Sequence, residues 1–203
     1  ETAGLQELAT VGRSLTALAD AGSVLMLYFL GRRLYGPATG LLASALGAFA
    51  VVSIQLAHFY RPEPFLVLLM LASFWSMLNV LERGRWRDHV WLGAVVGLSF
   101  ATKASSLPLL VPLAITYGLL VYRVLQASGG ATGAGLLRRA GLQAAAAGTV
   151  AFGLFAFWTP YALLDVYKFL GDLIWEAGIA REAGIVPYTV QYIDTPGVWY
   201  ELR

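Results

Sequence analysis

The sequence predicts an all-α, polytopic membrane helical bundle with about six transmembrane helices. Of its 203 residues, 58% are hydrophobic and only 13% are charged. The mean hydropathy is +0.67. An ordinary soluble domain is about one quarter charged, and several uncharged runs approach the roughly 20 residues with which a helix crosses a bilayer. Composition and run length therefore predict a membrane protein.

Short polar connections separate the predicted spans. The first span ends before Arg32-Arg33, the second begins at Pro37, where a helix start tolerates proline, and the third stops before Glu82. The region after residue 90 is too long for one helix, so we divide it at Lys103, its interior charge. The predicted spans are residues 14–30, 37–57, 64–81, 90–103, 105–123 and 140–158.

Two features concern the ends of the chain. Hydrophobicity falls and acidic residues appear after Trp158, so residues 159–203 are predicted to form an extracytoplasmic loop segment. The chain opens Glu-Thr-Ala-Gly, without an initiator methionine or a signal-peptide pattern, and stops at Arg203 within an aromatic-rich stretch. We expect it to be a fragment of a longer protein.

The basic residues predict the orientation, because lysine and arginine in short loops favour the cytoplasmic side. With six alternating spans, the short turns of one side carry only Arg61 and Lys103. The other side carries eight arginines, at positions 32, 33, 83, 85, 87, 123, 138 and 139. We therefore expect a plasma-membrane protein with both ends of the fragment, the 55–64 turn and Lys103 on the extracytoplasmic face.

Composition also excludes several kinds of site. The formal charge of +2 is too small to indicate nucleic acid binding. No cysteine is present, which removes disulfides, thiolate metal sites and cysteine catalysis. The two histidines, His58 and His89, lie far apart in the predicted topology, which argues against a histidine-rich metal cluster. Dependence on a divalent metal is left open.

The turn at residues 55–64 is rich in groups that bind ligands. It carries His58, Tyr60, Arg61 and Glu63 within six residues, and prolines on both sides of Glu63 restrict the backbone. A solvated turn is one interpretation, since polar residues are expected between spans. The other is a binding turn, in which the carboxylate acts as a base or orients a hydroxyl group.

Other charged residues at membrane depth have two interpretations each. The ammonium of Lys103 suits an anionic lipid headgroup, or it extends to the interface from an otherwise apolar run. Arg13 and Asp20 lie seven residues apart on one helical face, where a structural ion pair is the simplest interpretation. Gly93 and Gly97 are typical of close helix packing in lipid.

The aromatic segment near the end of the chain contains Tyr188, Gln191 and Tyr192. Aromatic faces beside hydrogen-bonding groups suit sugars, and they also suit the interfacial belt of a bilayer. The sequence leaves both uses open.

Six motifs together resemble one family of enzymes. They are Val11–Leu18, Gly31–Gly36, Gln55–Tyr60 with an acid at Glu63, Leu92–Lys103, Thr159–Asp165 and Pro187–Tyr192. Their order and spacing are similar to those of GT-C glycosyltransferases of the family 39 type, which include protein O-mannosyltransferases and lipid A aminoarabinose transferases. The resemblance covers nearly the whole chain.

The resemblance implies transfer of a sugar, with inversion, from a polyprenyl-phosphate carrier to a protein or lipid acceptor at the extracytoplasmic face. In such enzymes the general base is an acid in the first outer loop, ahead of the span that here begins near Ser14. We therefore expect the catalytic acid upstream of Glu1 and no activity from the fragment alone. Glu63 stands where the family usually has an aspartate, and Arg61-Pro62 replaces a small or apolar pair.

These expectations define the candidate site. Glu63 would position the donor phosphate or the acceptor, and Arg61 and Lys103 would offset phosphate charge. Lipid tails would lie in grooves between the spans. The predicted substrate-binding residues are His58, Tyr60, Arg61, Glu63, Lys103, Tyr188, Gln191 and Tyr192.

The sequence leaves two alternatives to a glycosyltransferase. A non-catalytic membrane subunit or scaffold of a larger complex is favoured by the missing base. A transporter would predict internal repeats, and the sequence contains no convincing one.

Overall fold

A computed structural model describes residues 2–127 and 131–179, and the regular structure within them is helical. The α-helices are α1 (Thr2–Tyr35), α2 (Pro37–Ala48), α3 (Val51–His58), α4 (Glu63–Arg83), α5 (Trp86–Thr102), α6 (Leu110–Ala127), α7 (Ala131–Trp158), α8 (Tyr161–Leu164) and α9 (Val166–Ile179). A 3₁₀ helix, Ala104–Leu109, joins α5 to α6. The predicted all-α class is confirmed.

Four helical segments of the described part are long and apolar enough to cross a membrane. They are Gln6–Tyr35, Glu63–Arg83, Ala104–Gln126 and Gly133–Trp158. The bent pair α2 and α3 makes a fifth if it crosses as one unit. Helix α5, where the sequence predicts the fourth of six spans, has 17 residues, or about 25 Å of helix. The chain is a multi-pass membrane protein.

Helices α1 and α2 form a tight hairpin. Gly36 turns the chain with a φ of 98°, in the left-handed region that favours glycine, and Pro37 begins α2. The two helices touch through glycines: a Cβ atom on Gly31 would lie 2.8 Å from the Cα of Gly40. A larger residue at either position would force the helices apart.

The predicted span 37–57 coincides with two helices bent by 55°. Helix α2 ends with two backbone hydrogen bonds: the Phe49 amide donates to the Ala45 carbonyl and the Ala50 amide donates to the Gly47 carbonyl. Ala50 then adopts an extended conformation before α3 begins. No proline marks this bend, and the apolar composition continues through it. The bend brings α3 against α1.

Helix α5 packs between α4 and α7 and contributes to the buried core. The core residues are Met77, Val80, Leu92, Val96 and Leu109. On the α7 side, a Cβ atom on Gly93 would lie 2.9 Å from the Cα of Ala147, and one on Gly97 would lie 2.7 Å from the Cα of Ala151. The predicted use of Gly93 and Gly97 in close helix packing is confirmed.

An arginine cluster ties α1, α4 and α6 at the end of the bundle opposite the 55–64 turn. Arg33 donates to both carboxylate oxygens of Glu82, at 2.6 and 3.2 Å. Its guanidinium carbon lies 4.3 Å from the centroid of the Trp75 ring. Arg123 donates to the carbonyl of Leu81 at 2.8 Å. Arg33 and Arg123, whose charges predict the orientation of the loops, therefore also hold the helices together.

A first compact unit ends at Trp158 and a second begins at Thr159. The second unit starts with α8 and α9, so part of the segment predicted as a loop is helical. Asp165 accepts a hydrogen bond from the Lys168 amide at 3.0 Å and caps the start of α9. The rings of Tyr161 and Phe169 meet edge to face, with centroids 5.8 Å apart.

Candidate functional site

Three of the predicted site residues form one ionic cluster. The Oε1 atom of Glu63 lies 3.1 Å from the Nζ atom of Lys103. The Oε2 atom of Glu63 lies 3.7 Å from the Nε atom of Arg61. Residues 40 positions apart in the chain thus meet where α4 begins and α5 ends.

The fold places each charge at a helix end that favours it. Glu63 is the first residue of α4, where the helix dipole stabilises a carboxylate. Lys103 follows the last residue of α5, where the dipole stabilises a cation. The dipoles of two helices therefore support the ion pair that joins them.

Ser106 fixes the backbone of Lys103. The Lys103 carbonyl accepts hydrogen bonds from the Ser106 amide at 3.1 Å and from the Ser106 hydroxyl at 2.8 Å. Ser106 is fully buried in the 3₁₀ helix that follows. Since the backbone is held, movement of the Lys103 ammonium is limited to its own side-chain torsions.

The cluster carries a net charge of +1, with two cations around one carboxylate. The Arg61, Lys103 and Glu63 side chains are 59%, 32% and 23% exposed, so a ligand can reach the cations. The Oε2 atom of Glu63 is shielded from solvent yet receives no hydrogen bond from the described residues. Chemically, the cluster can bind an anion at its cations and accept a hydrogen bond at its carboxylate.

His58 and Tyr60 lie on the same turn but contact their surroundings differently. The Nδ1 atom of His58 lies 2.7 Å from the Ile54 carbonyl of its own helix. The ring of Tyr60 covers Gly12 of α1, and its Cγ atom would be 2.6 Å from a Cβ atom at that position. Both side chains remain largely exposed. Their roles in substrate binding stay predictions.

The remaining predicted residues do not join the cluster. Tyr188, Gln191 and Tyr192 lie outside the described residues. The ion pair expected between Arg13 and Asp20 is not formed among the side chains that the structure describes. Seven residues of helix separate their Cα atoms by about 10 Å along the axis, which is too far for direct contact.

Sequence reasoning missed the residues that hold the turn in place. Thr16 is fully buried and its hydroxyl lies 2.9 Å from the Ala57 carbonyl of α3. Gly12, one helical turn earlier, is the residue on which Tyr60 packs. Small residues spaced by four in an apolar helix indicate a close contact, and this signal could have identified the pair.

The described residues offer little for a metal. They contain no group of three or more His, Asp or Glu side chains able to hold an ion. At the ionic cluster, a divalent cation would meet the single carboxylate of Glu63, already paired with Lys103 and Arg61.

About half of the chain is similar in sequence to a bacterial protein. The protein named "Putative mannosyltransferase YkcB", from Bacillus subtilis (strain 168), is 28% identical over 107 residues. The match covers 51% of this chain but 14% of that relative, so the chain spans only a small part of its length. No solved structure matches the chain.

The family comparison covers the elements that build the ionic cluster. Residues 5–137 match the dolichyl-phosphate-mannose-protein mannosyltransferase family. The match includes α3, the 55–64 turn, Glu63 and Lys103. The chain therefore belongs to the dolichyl-phosphate-mannose-protein mannosyltransferase family.

Proposed function

We propose that the whole protein transfers a sugar from a polyprenyl-phosphate carrier to a protein or lipid acceptor. The observation that carries this proposal is the net positive cluster of Arg61, Glu63 and Lys103 where α4 begins and α5 ends. Family membership supports the glycosyltransferase class. The chemistry of the cluster supports a donor whose leaving group is a phosphate.

The two cations act on that phosphate. Lys103 supplies an ammonium on a fixed backbone, and the more exposed Arg61 supplies a guanidinium that can form two parallel hydrogen bonds. Both charges are present before the donor binds. They therefore stabilise negative charge as it develops on the phosphate without waiting for solvent to rearrange.

In the proposed reaction, an acceptor hydroxyl attacks the anomeric carbon of the sugar from the face opposite the phosphate. A carbon–oxygen bond forms, the bond to the phosphate oxygen breaks, and the phosphate leaves with the electron pair. The proton of the acceptor passes to a general base. Following the resemblance, we place that base on an acidic residue upstream of Glu1, and give Glu63 the role of orienting a hydroxyl group with its Oε2 atom, which accepts no hydrogen bond from the described residues.

The carrier's lipid tail would follow apolar grooves between the helices. A cavity of about 310 Å³ between α1, α4 and α6 is one such groove, lined by side chains that include Leu30, Met77 and Ile115. It lies toward the end of α1 that carries Arg33. Its apolar lining suits a hydrocarbon chain and does not suit a sugar.

The distribution of charge supports a site on the extracytoplasmic face. Arg32 and Arg33 in the last turn of α1 and Arg83 in the last turn of α4 lie at one end of the bundle. The ionic cluster lies where α4 begins, at the other end. With basic loops inside, Glu63 and Lys103 face the extracytoplasmic side.

The test is a transfer assay on the full-length protein in lipid nanodiscs, with radiolabelled polyprenyl-phosphate mannose as donor. Lys103→Ala removes one charged hydrogen bond to the phosphate, which is expected to lower kcat/KM roughly tenfold or more. Lys103→Arg keeps the charge and serves as the matched control. Thermal unfolding of each variant separates loss of function from loss of fold.

Two results would contradict the proposal. Unchanged transfer kinetics in Lys103→Ala would remove the assigned role of that residue. Failure of the wild-type protein to use any polyprenyl-phosphate sugar would favour the scaffold.

A further inference from the structure

Helix α1 carries a small buried seat facing the 55–64 turn. The seat consists of Gly12 and Thr16, both buried and one helical turn apart. A Cβ atom on Gly12 would lie 2.6, 2.7 and 2.9 Å from three ring carbons of Tyr60. The ring therefore occupies the space that any side chain at position 12 would need.

The second half of the seat is a hydrogen bond across helices. The hydroxyl of Thr16 lies 2.9 Å from the Ala57 carbonyl, and also near the Gly12 and Arg13 carbonyls of its own helix. The Ala57 carbonyl lies in the last turn of α3, where helix carbonyls lack an intrahelical partner. Thr16 supplies that partner and anchors the end of α3.

These contacts hold the turn at two successive points. Ala57 is bound to Thr16, Tyr60 packs on Gly12, and Glu63 follows three residues later. The bend between α2 and α3 is what brings α3 within reach of α1. Glu63 therefore begins α4 from a turn that α1 fixes.

We infer that Gly12 and Thr16 are positioning residues: they hold the 55–64 turn so that the carboxylate of Glu63 stays beside the ammonium of Lys103. This inference rests on the proposed function only for its effect on transfer, since the position of the turn can be measured without it. Neither residue touches the ionic cluster.

The first experiment measures position. Cysteines replace Phe59 on the turn and Leu107 in the 3₁₀ helix, both exposed, in a full-length protein freed of other cysteines. Nitroxides on the two sites report their separation by electron paramagnetic resonance. Thr16→Val, which keeps the volume but removes the hydroxyl, and Gly12→Ala are each expected to broaden the distance distribution and shift its mean.

Matched controls distinguish the seat from a general loss of packing. Thr116→Val removes a buried hydroxyl that bonds only the Pro112 carbonyl of its own helix. Gly22→Ala adds a Cβ atom on the same helix as Gly12, where its nearest neighbours are the two methyl carbons of Leu68, at 3.2 and 3.3 Å, at the end of a flexible side chain. Both controls are expected to leave the distance unchanged, and Thr16→Ser is expected to restore it.

The second experiment measures transfer. Gly12→Ala is expected to lower kcat about tenfold, the effect of losing one well-placed hydrogen bond in the site. In a Glu63→Gln background the same change is expected to lower kcat less than twofold, because Gly12 acts through Glu63. A role confined to stability would give the same fold-loss in both backgrounds.

Each outcome decides a different point. An unchanged 59–107 distance in both Gly12→Ala and Thr16→Val would overturn the inference, and so would additive losses of kcat. A changed distance in the two variants, together with a wild-type protein that transfers no sugar, would uphold the positioning and reject the proposed function.

Discussion

Replacing Glu63 with glutamine would separate the two tasks assigned to the ionic cluster. Glutamine keeps the size of the side chain and one acceptor oxygen, but removes the negative charge. The net charge of the cluster then rises from +1 to +2, with Arg61 and Lys103 retained. Donor binding and the chemical step are expected to respond in opposite directions.

The magnitude follows from the geometry. A phosphate oxygen on the far side of the Lys103 ammonium would lie roughly 3 Å from Nζ, and Glu63 lies 3.1 Å from Nζ on the near side. The two anions would thus be about 6 Å apart, where Coulomb's law gives about 0.7 kcal/mol of repulsion in water and about 2.8 kcal/mol at an effective dielectric constant of 20. For a partly exposed site we take about 1.5 kcal/mol, or roughly tenfold in affinity.

The assay is the Kd of unsubstituted polyprenyl phosphate, measured by tryptophan fluorescence in nanodiscs, beside kcat for sugar transfer. Glu63→Gln is expected to bind the phosphate about tenfold more tightly at low salt, with a smaller difference at high salt because the charges are partly screened. The same variant is expected to lose at least tenfold in kcat, because a neutral amide orients a hydroxyl less strongly than a carboxylate. A Kd that rises or stays constant would refute the electrostatic reasoning, whatever happens to kcat.

Two further predictions concern the bundle itself. Gly97→Leu is expected to lower the free energy of unfolding by about 2 kcal/mol or more, because the side chain would collide with the backbone of α7. Gly148→Leu is the control, since a Cβ atom at that position would lie in open space, and it is expected to change the free energy of unfolding little. Equal losses in the two variants would contradict the close crossing of α5 and α7. Arg33→Met is expected to lower the free energy of unfolding by removing the bidentate contact with Glu82, itself half exposed, and the stacking on the Trp75 ring. Arg32→Met is its control, and both pairs are compared by unfolding in mixed micelles.

Hydropathy predicted where the membrane helices lie better than it predicted where they bend. The third predicted span, 64–81, lies within α4 at Glu63–Arg83, because uniform apolar runs end at charges that are visible in the sequence. The first, 14–30, lies within a helix that begins at Thr2, since the polar residues of its first turns do not stop a helix. The bend after Ala48 has no local signal: neither a proline nor a charge marks it, and apolar residues continue from Gly47 through Val52. Contact of α3 with α1 accompanies the bend.

In the candidate site, contacts between neighbours in the sequence could be predicted, whereas contacts that depend on how the helices pack could not. Arg61 and Glu63 are neighbours in the sequence, so their proximity follows from the turn. The pairing of Glu63 with Lys103 depends on the register between α4 and α5, which charge counting does not provide. The spacing of four from Gly12 points to Thr16 as a contact residue, but its bond to α3 could not be predicted: Thr10 and Thr16 both bond carbonyls of their own helix, and only the fold shows that Thr16 also reaches Ala57.

The bend between α2 and α3 has a consequence for hydration. The first amides of α3 lack acceptors within the helix, and such groups cost several kcal/mol in hydrocarbon unless water or protein reaches them. Because the 55–64 turn lies at the end of the bundle opposite Arg33, α2 and α3 cross as one bent unit, and the break near Ala50 has to admit water or polar groups. The break lies about 12 Å along α3 from His58, so the water or polar groups that satisfy these amides are needed about that far from the 55–64 turn.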